Sequence, residues 1–142
     1  MPPTTSTTAP SRRTADSTKN GHSSMPEGPG GSVRERILDT ATRMFYYQGI
    51  PATGVDSVIA SAGVAKMSLY RHFGSKEKLI VECLSRLDVR YHDWFVTQVE
   101  DRGGDPAEKL LSVFDVLDEW FATAHFRGCA FINASAEGPR ES

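Results

Sequence analysis

From Ser32 onward the apolar residues recur at helical spacing, and little of the chain alternates with the period of two that a strand requires. Val33, Ile37, Ala41, Met44 and Phe45 make the first apolar face, with Ser32 as N-cap and a stop where Gly49 can turn left-handed ahead of Ile50 and Pro51. Thr53 offers a cap oxygen, with Asp56 three residues on in capping-box position, to open a second helix at Gly54 or Val55 whose inner face is Val55, Val58, Ile59 and Ala62. Gly63 is the turn into a third helix, from about Lys66 to His72, with Leu69 and Phe73 facing inward. Ser75 caps a long fourth helix, striped by Leu79, Ile80, Cys83, Leu84, Leu87, Tyr91, Trp94 and Phe95. A loop at 101–104 leads to Asp105, Pro106 and Glu108, a cap with Pro at N1 and Glu at N3. The fifth helix is expected to bury Leu110, Phe114, Leu117, Phe121 and Ala124 and to stop near Gly128; a sixth begins at about Cys129 and is cut off within a few turns. The fold class is all-α.

Residues 1–32 interrupt this pattern. Pro, Thr, Ser and Gly dominate, with almost no large apolar side chain to offset the entropy of ordering, so they read as a disordered tail in which Arg12, Arg13 and Lys19 form at most a loose arm. No apolar run approaches the ~20 residues of a membrane helix, and MPPTTSTTAPSRR lacks the apolar core of a signal peptide, which makes the cytoplasm the expected compartment. Cys83 and Cys129 lie far apart without a CxxC pair or a histidine at ligand spacing, as expected of reduced structural thiols.

The net charge of −2 looks poor for a nucleic-acid binder until it is divided along the chain. Residues 33–79 hold seven Lys/Arg against four acids, a net +3, whereas residues 80–142 hold six against twelve, a net −6. A basic segment joined to an acidic one is the asymmetry expected when one part meets phosphate and the other does not. The basic segment contains a two-helix unit, VDSVIASAGVAKMSLYRHF, whose second helix crowds Lys66, Ser68, Tyr70, Arg71 and His72 around Leu69. A helix-turn-helix places such a helix in the major groove, where Arg or Lys reads guanine edges while Tyr, Ser and backbone amides hold phosphates.

The string T-x-V-D-x-V-I-x-x-A-G-V-x-K-x-S-L-Y-R-H-F-x-S-K-E-x-L, from Thr53 to Leu79, together with the order of elements, resembles the tetracycline-repressor (TetR) family of bacterial transcriptional regulators. The resemblance implies three regions: a tail at 1–32, a helix-turn-helix DNA-binding domain at 33–92, and at 93–142 the start of a helical effector-binding and dimerisation domain, with FRGCAFINASAE similar to the beginning of its sixth helix. Carried over residue by residue, it makes Thr53 a phosphate-facing cap, Lys66, Ser68, Tyr70 and His72 phosphate or base-edge contacts, Met67 and Arg71 the sequence readers, and Lys76 a phosphate clamp. It further implies a sequence-specific, ligand-responsive repressor whose complete form is a homodimer on a palindromic DNA operator, with a small-molecule effector and no membrane association. The dimer helices of the resembled family would lie beyond Ser142, so the 142-residue chain is expected to bind half-sites weakly.

Two positions depart from the family pattern. Ala65 stands where a Ser often caps the recognition helix, and a cap usually worth ~1 kcal/mol is missing. Ile59 replaces a small residue and either repacks against Ile37 or Leu69 or shifts the angle between the helices. The rival readings are weaker in the residues themselves. FGSKEK lacks phosphate-loop spacing and no Ser/His/Asp set or carboxylate pair gathers, so no enzyme and no cofactor is expected. Asp88 and His92 share a helix face but have no third ligand, which argues against a metal. Trp94, Phe95, Trp120, Phe121 and Phe126 line either a core or a pocket, with core the commoner outcome. The alternative to a DNA-binding regulator is a helical protein-interaction module that never touches DNA.

Overall fold

The structure, a computed structural model, describes residues 31–138, and these form six helices with no strand among them: α1 (Val33–Gln48), α2 (Val55–Ala62), α3 (Lys66–Phe73), α4 (Lys76–Arg102), α5 (Pro106–Phe121) and α6 (Ala130–Glu137). The expectations for the tail, including Arg12, Arg13 and Lys19, fall outside the described residues.

Local chemistry sets most of the boundaries. The Ser32 hydroxyl accepts from the Glu35 amide to start α1, and Gly49 ends it at φ +87°. Ser75 accepts from Lys78 N–H to start α4, and at α5 the full capping box forms, with Asp105 accepting from Ala107 and Glu108 while the Glu108 carboxylate accepts from Asp105 N–H. α3 begins at Ala65 with no side-chain cap, and α6 begins uncapped at Cys129.

The first four helices share one core. Ile37, Leu38, Ala41 and Met44 of α1 pack with Val58 of α2, Leu69 and Phe73 of α3, and Leu79 and Cys83 of α4. Ile37 and Leu69 are fully buried at the centre, and Ile59 is accommodated as a partly buried side chain against this cluster. On the flank, Arg86 of α4 pairs with Glu35 and Asp39 of α1 at 2.9 Å each, while Arg34 pairs with Glu82 and stacks over the Phe73 ring at 5.0 Å. Ion pairs and core therefore both hold α4 to α1.

Two boundaries differ from the sequence expectation. Asp101 and Arg102 belong to α4, which runs unbroken for 27 residues, so the loop starts only at Gly103. α5 stops at Phe121, well before Gly128. Its buried residues are Ser112 and Val116, whereas Leu110 and Phe114 are each 66% exposed, Phe121 is 52% exposed, and Ala124 lies beyond the helix end. The error has a physical origin: α5 carries apolar side chains on two faces, and periodicity alone does not say which one α4 covers. α5 runs back along α4, with Lys109 paired to Glu100 at one end and Trp120 against Tyr91 at 5.5 Å at the other.

Candidate nucleic-acid interface

The turn between α2 and α3 is made by Gly63 in the left-handed conformation, φ +64° and ψ +45°, with its N–H bonded to Ala60 and Ile59 oxygens. Arg36 reaches across from α1 and donates one Nη2 to both the Ala62 oxygen at 2.7 Å and the Gly63 oxygen at 2.8 Å. The turn is thus fixed by backbone geometry and by a charged donor on its two carbonyls. Once Leu69 and Phe73 are committed to the core, the opposite face of α3 is obliged to look outward. That face presents Lys66, Met67, Tyr70, Arg71 and His72, all exposed, with Met67 71% exposed and Tyr70 41%; Ser68 is half-buried at its edge.

The remaining expected contacts are placed differently. Thr53 is the clear correction: its side chain is fully buried, it does not cap α2, and its hydroxyl donates to the Gly49 oxygen at 2.8 Å and faces the Met44 oxygen at 3.3 Å. The hydroxyl ties off the free carbonyls at the end of α1 instead of facing a phosphate, and Gly54 serves as the α2 N-cap with no side-chain bond. Asp56 consequently has no capping box to complete. Its carboxylate lies 2.9 Å from Lys66 Nζ, across the turn at the start of α3, and that hydrogen bond raises the Lys66 pKa. Lys76 is half-buried and donates to the Ile50 oxygen at 2.9 Å.

Ile50 is held from a second direction that sequence reasoning missed. Its N–H donates to the Glu137 carboxylate at 2.7 Å, so an acid from α6 and a base from α4 grip the α1–α2 loop on successive polar groups. Tyr46 makes a parallel link, donating to the Gly128 oxygen at 3.1 Å and accepting from Arg127 N–H at 2.9 Å. A separation of 87 residues between Ile50 and Glu137 leaves no local sequence signal for such a bond.

Residues 37–83, the segment that builds this surface, match the bacterial regulatory proteins of the tetR family. The helix-turn-helix segment is thus similar to the DNA-binding segment of TetR-family regulators. The chain is 39% identical over 93 residues to the HTH-type transcriptional regulator LmrA of Bacillus subtilis, covering 65% of this chain and 49% of that protein. It is 36% identical over 94 residues to the HTH-type transcriptional repressor KstR2 of Mycolicibacterium smegmatis, covering 63% and 44%. A crystal structure of SCO4454, a TetR-family transcriptional regulator from Streptomyces coelicolor, superimposes with a TM-score of 0.63 at 39% identity, over 74% of this chain and 55% of that one. The chain spans about half the length of the curated relatives it matches.

No helix among the described residues is long and apolar enough to cross a membrane. The described residues contain no group of three or more potential metal ligands, and His92 Nδ1 lies 3.4 Å from a carboxylate oxygen of the adjacent Asp93.

Proposed function

We propose that this chain is a sequence-specific DNA-binding transcriptional regulator that lays α3 in the major groove of a duplex operator. The observation that carries the reading is the division of α3 into a buried face, Leu69 and Phe73, and a fully presented row, Lys66, Met67, Tyr70, Arg71 and His72. Arg71 reads base edges, with Met67 in apolar contact beside it, while Lys66, Ser68, Tyr70 and His72 hold phosphates or base edges. Lys76 contributes its charge near the backbone from the N-terminus of α4. α2 adds an uncapped N-terminus whose first amides are open to an anion.

The regulator acts in the cytoplasm as a repressor, in the manner that the names of several relatives state for those proteins. Its complete form is a homodimer on a palindromic site, because a two-fold dimer sets two recognition helices about one helical turn, ~34 Å, apart. A small-molecule effector is read by the α4–α6 region, and α4, bound to α1 by core and ion pairs, transmits the response. Selection of bound duplexes from a random pool, followed by affinity measurement across a salt series, tests the reading. A recovered consensus with a salt slope of several units supports it; retention of no duplex at low salt rejects it.

A further inference from the structure

Where α4, α5 and the start of α6 meet, a cavity of about 350 Å³ opens between the helices. Its walls are aromatic: Tyr91, Trp94 and Phe95 from α4, Trp120 from α5 and Phe131 from α6. The Trp94 and Trp120 rings on this wall are 6.2 Å apart and tilted by 58°. Of the lining residues only Asp88 brings a permanent charge; His92 and Cys129 complete the rim. The Tyr91 hydroxyl, like any tyrosine's, is uncharged near neutral pH, and burial raises its pKa further, to about 12. Among the described residues no lysine or arginine lines the cavity, and by sequence residues 80–142 carry a net −6.

From this geometry we infer that the cavity takes a small organic cation with an apolar body, such as a quaternary ammonium or an aromatic cation. The ring faces supply negative quadrupole potential at short range, and Asp88 supplies a counter-charge on one rim. An anionic ligand would meet a carboxylate with no basic partner, and a neutral one would forgo both terms. Its volume sits at the lower end of small-molecule sites, which suits a ligand of about ten to twenty heavy atoms. The inference rests on the ligand-responsive reading above and names the ligand class for it.

The test uses the 142-residue chain and three probes of one shape: benzyltrimethylammonium, its neutral carbon analogue neopentylbenzene, and the anion phenylmethanesulfonate. The chain has two tryptophans, both on the cavity wall, so intrinsic fluorescence reads occupancy directly. At pH 8, above the usual titration range of histidine, the cation should bind about ten-fold or more tighter than the neutral analogue, with no saturable response to the anion. Asp88 is exposed and can be changed without disturbing the core. Asp88→Asn should reduce the preference for the cation about three- to ten-fold, and Asp88→Lys should shift it toward the anion. Equal or tighter binding of the neutral or anionic probe, no saturable response to any probe, or a ranking unmoved by Asp88→Lys overturns the inference. DNA binding is read separately on the same preparation by mobility shift, so failure of the ligand class is distinguishable from failure of the regulator reading.

Discussion

One guanidinium nitrogen of Arg36 holds both the Ala62 and the Gly63 carbonyl of the helix-turn-helix, so the angle at which α3 leaves the body is set by a residue 27 positions upstream of the turn. Arg36→Met keeps the side-chain stem and removes the donor. It should cost on the order of 1 kcal/mol, a shift of several degrees in Tm for a domain of this size, and weaken duplex binding about three- to ten-fold. Gly63→Val should cost more, because φ +64° strains any residue with a Cβ and that Cβ would lie 3.3 Å from Arg36 Nη2. Thermal melts paired with mobility shifts decide: unchanged Tm and affinity in both variants would show that the turn is held by other means.

Residues on the presented face of α3 should separate by what they touch. Tyr70→Ala should weaken all duplexes alike, as loss of a phosphate contact does, whereas Arg71→Ala should relax preference at one or two base pairs, each worth about 1–3 kcal/mol. The comparison needs a selected site and single-base variants of it. Equal loss of discrimination in both mutants would sink this division of roles.

Much of this surface was legible because its signals are local. Gly63, the Ser75 cap and the inward pair Leu69 and Phe73 announce a turn, a start and a buried face within thirteen residues, and the TetR resemblance rests on the stretch from Thr53 to Leu79 that contains them. What was not legible depends on contacts far apart in the chain. Thr53 looked like a cap because a Thr three residues before an Asp fits the pattern, but the open carbonyls at the end of α1 take its hydroxyl first. The bond from Ile50 to Glu137 and the choice of buried face on α5 both depend on where α4 places its neighbours. Of the aromatic residues weighed in sequence as core or pocket, Trp94, Phe95 and Trp120 line the cavity, while the exposed Phe121 and half-buried Phe126 pack on Trp120 outside it and belong to neither.

Thr53→Val tests the reassigned hydroxyl. The change is nearly isosteric, removes the donor that the buried Thr53 hydroxyl offers to the part-buried bond with the Gly49 oxygen, and should cost about 1 kcal/mol of stability. The slope of log affinity against log salt should stay unchanged, because no phosphate contact is removed. A stable variant with a reduced slope would return Thr53 to the DNA surface.

The pair of Asp56 and Lys66 predicts a gain of function. Lys66 faces its partner at 2.9 Å with 53% of its side chain exposed, and a phosphate must compete with that carboxylate for the ammonium. Asp56→Asn frees Lys66 and removes a negative charge beside the open amides of α2. Non-specific duplex binding should tighten about two- to five-fold, with a salt slope steeper by up to about one unit. Weaker binding would show instead that Asp56 orients Lys66 for the duplex.

Cys83 links the packing of α1 and α4 to alkaline pH. Its thiol is buried and lies 3.9 Å from the Leu38 oxygen, and burial pushes its pKa from 9.0 up to about 11. The folded state therefore holds this proton more tightly than the unfolded chain, and the stability it contributes is present below pH 9 and is lost as pH rises toward 11. A shift of this size corresponds to roughly 2–3 kcal/mol lost across the window. Tyr91, raised to about 12 mainly by desolvation, adds a loss of the same sign but at higher pH. Cys83→Ser has a similar volume, keeps a donor for Leu38 and does not titrate there, so its Tm should fall less between pH 8.5 and 10.5 than that of the parent chain. Parallel Tm curves for the two proteins over that range would show that ionisation of Cys83 plays no part in alkaline unfolding.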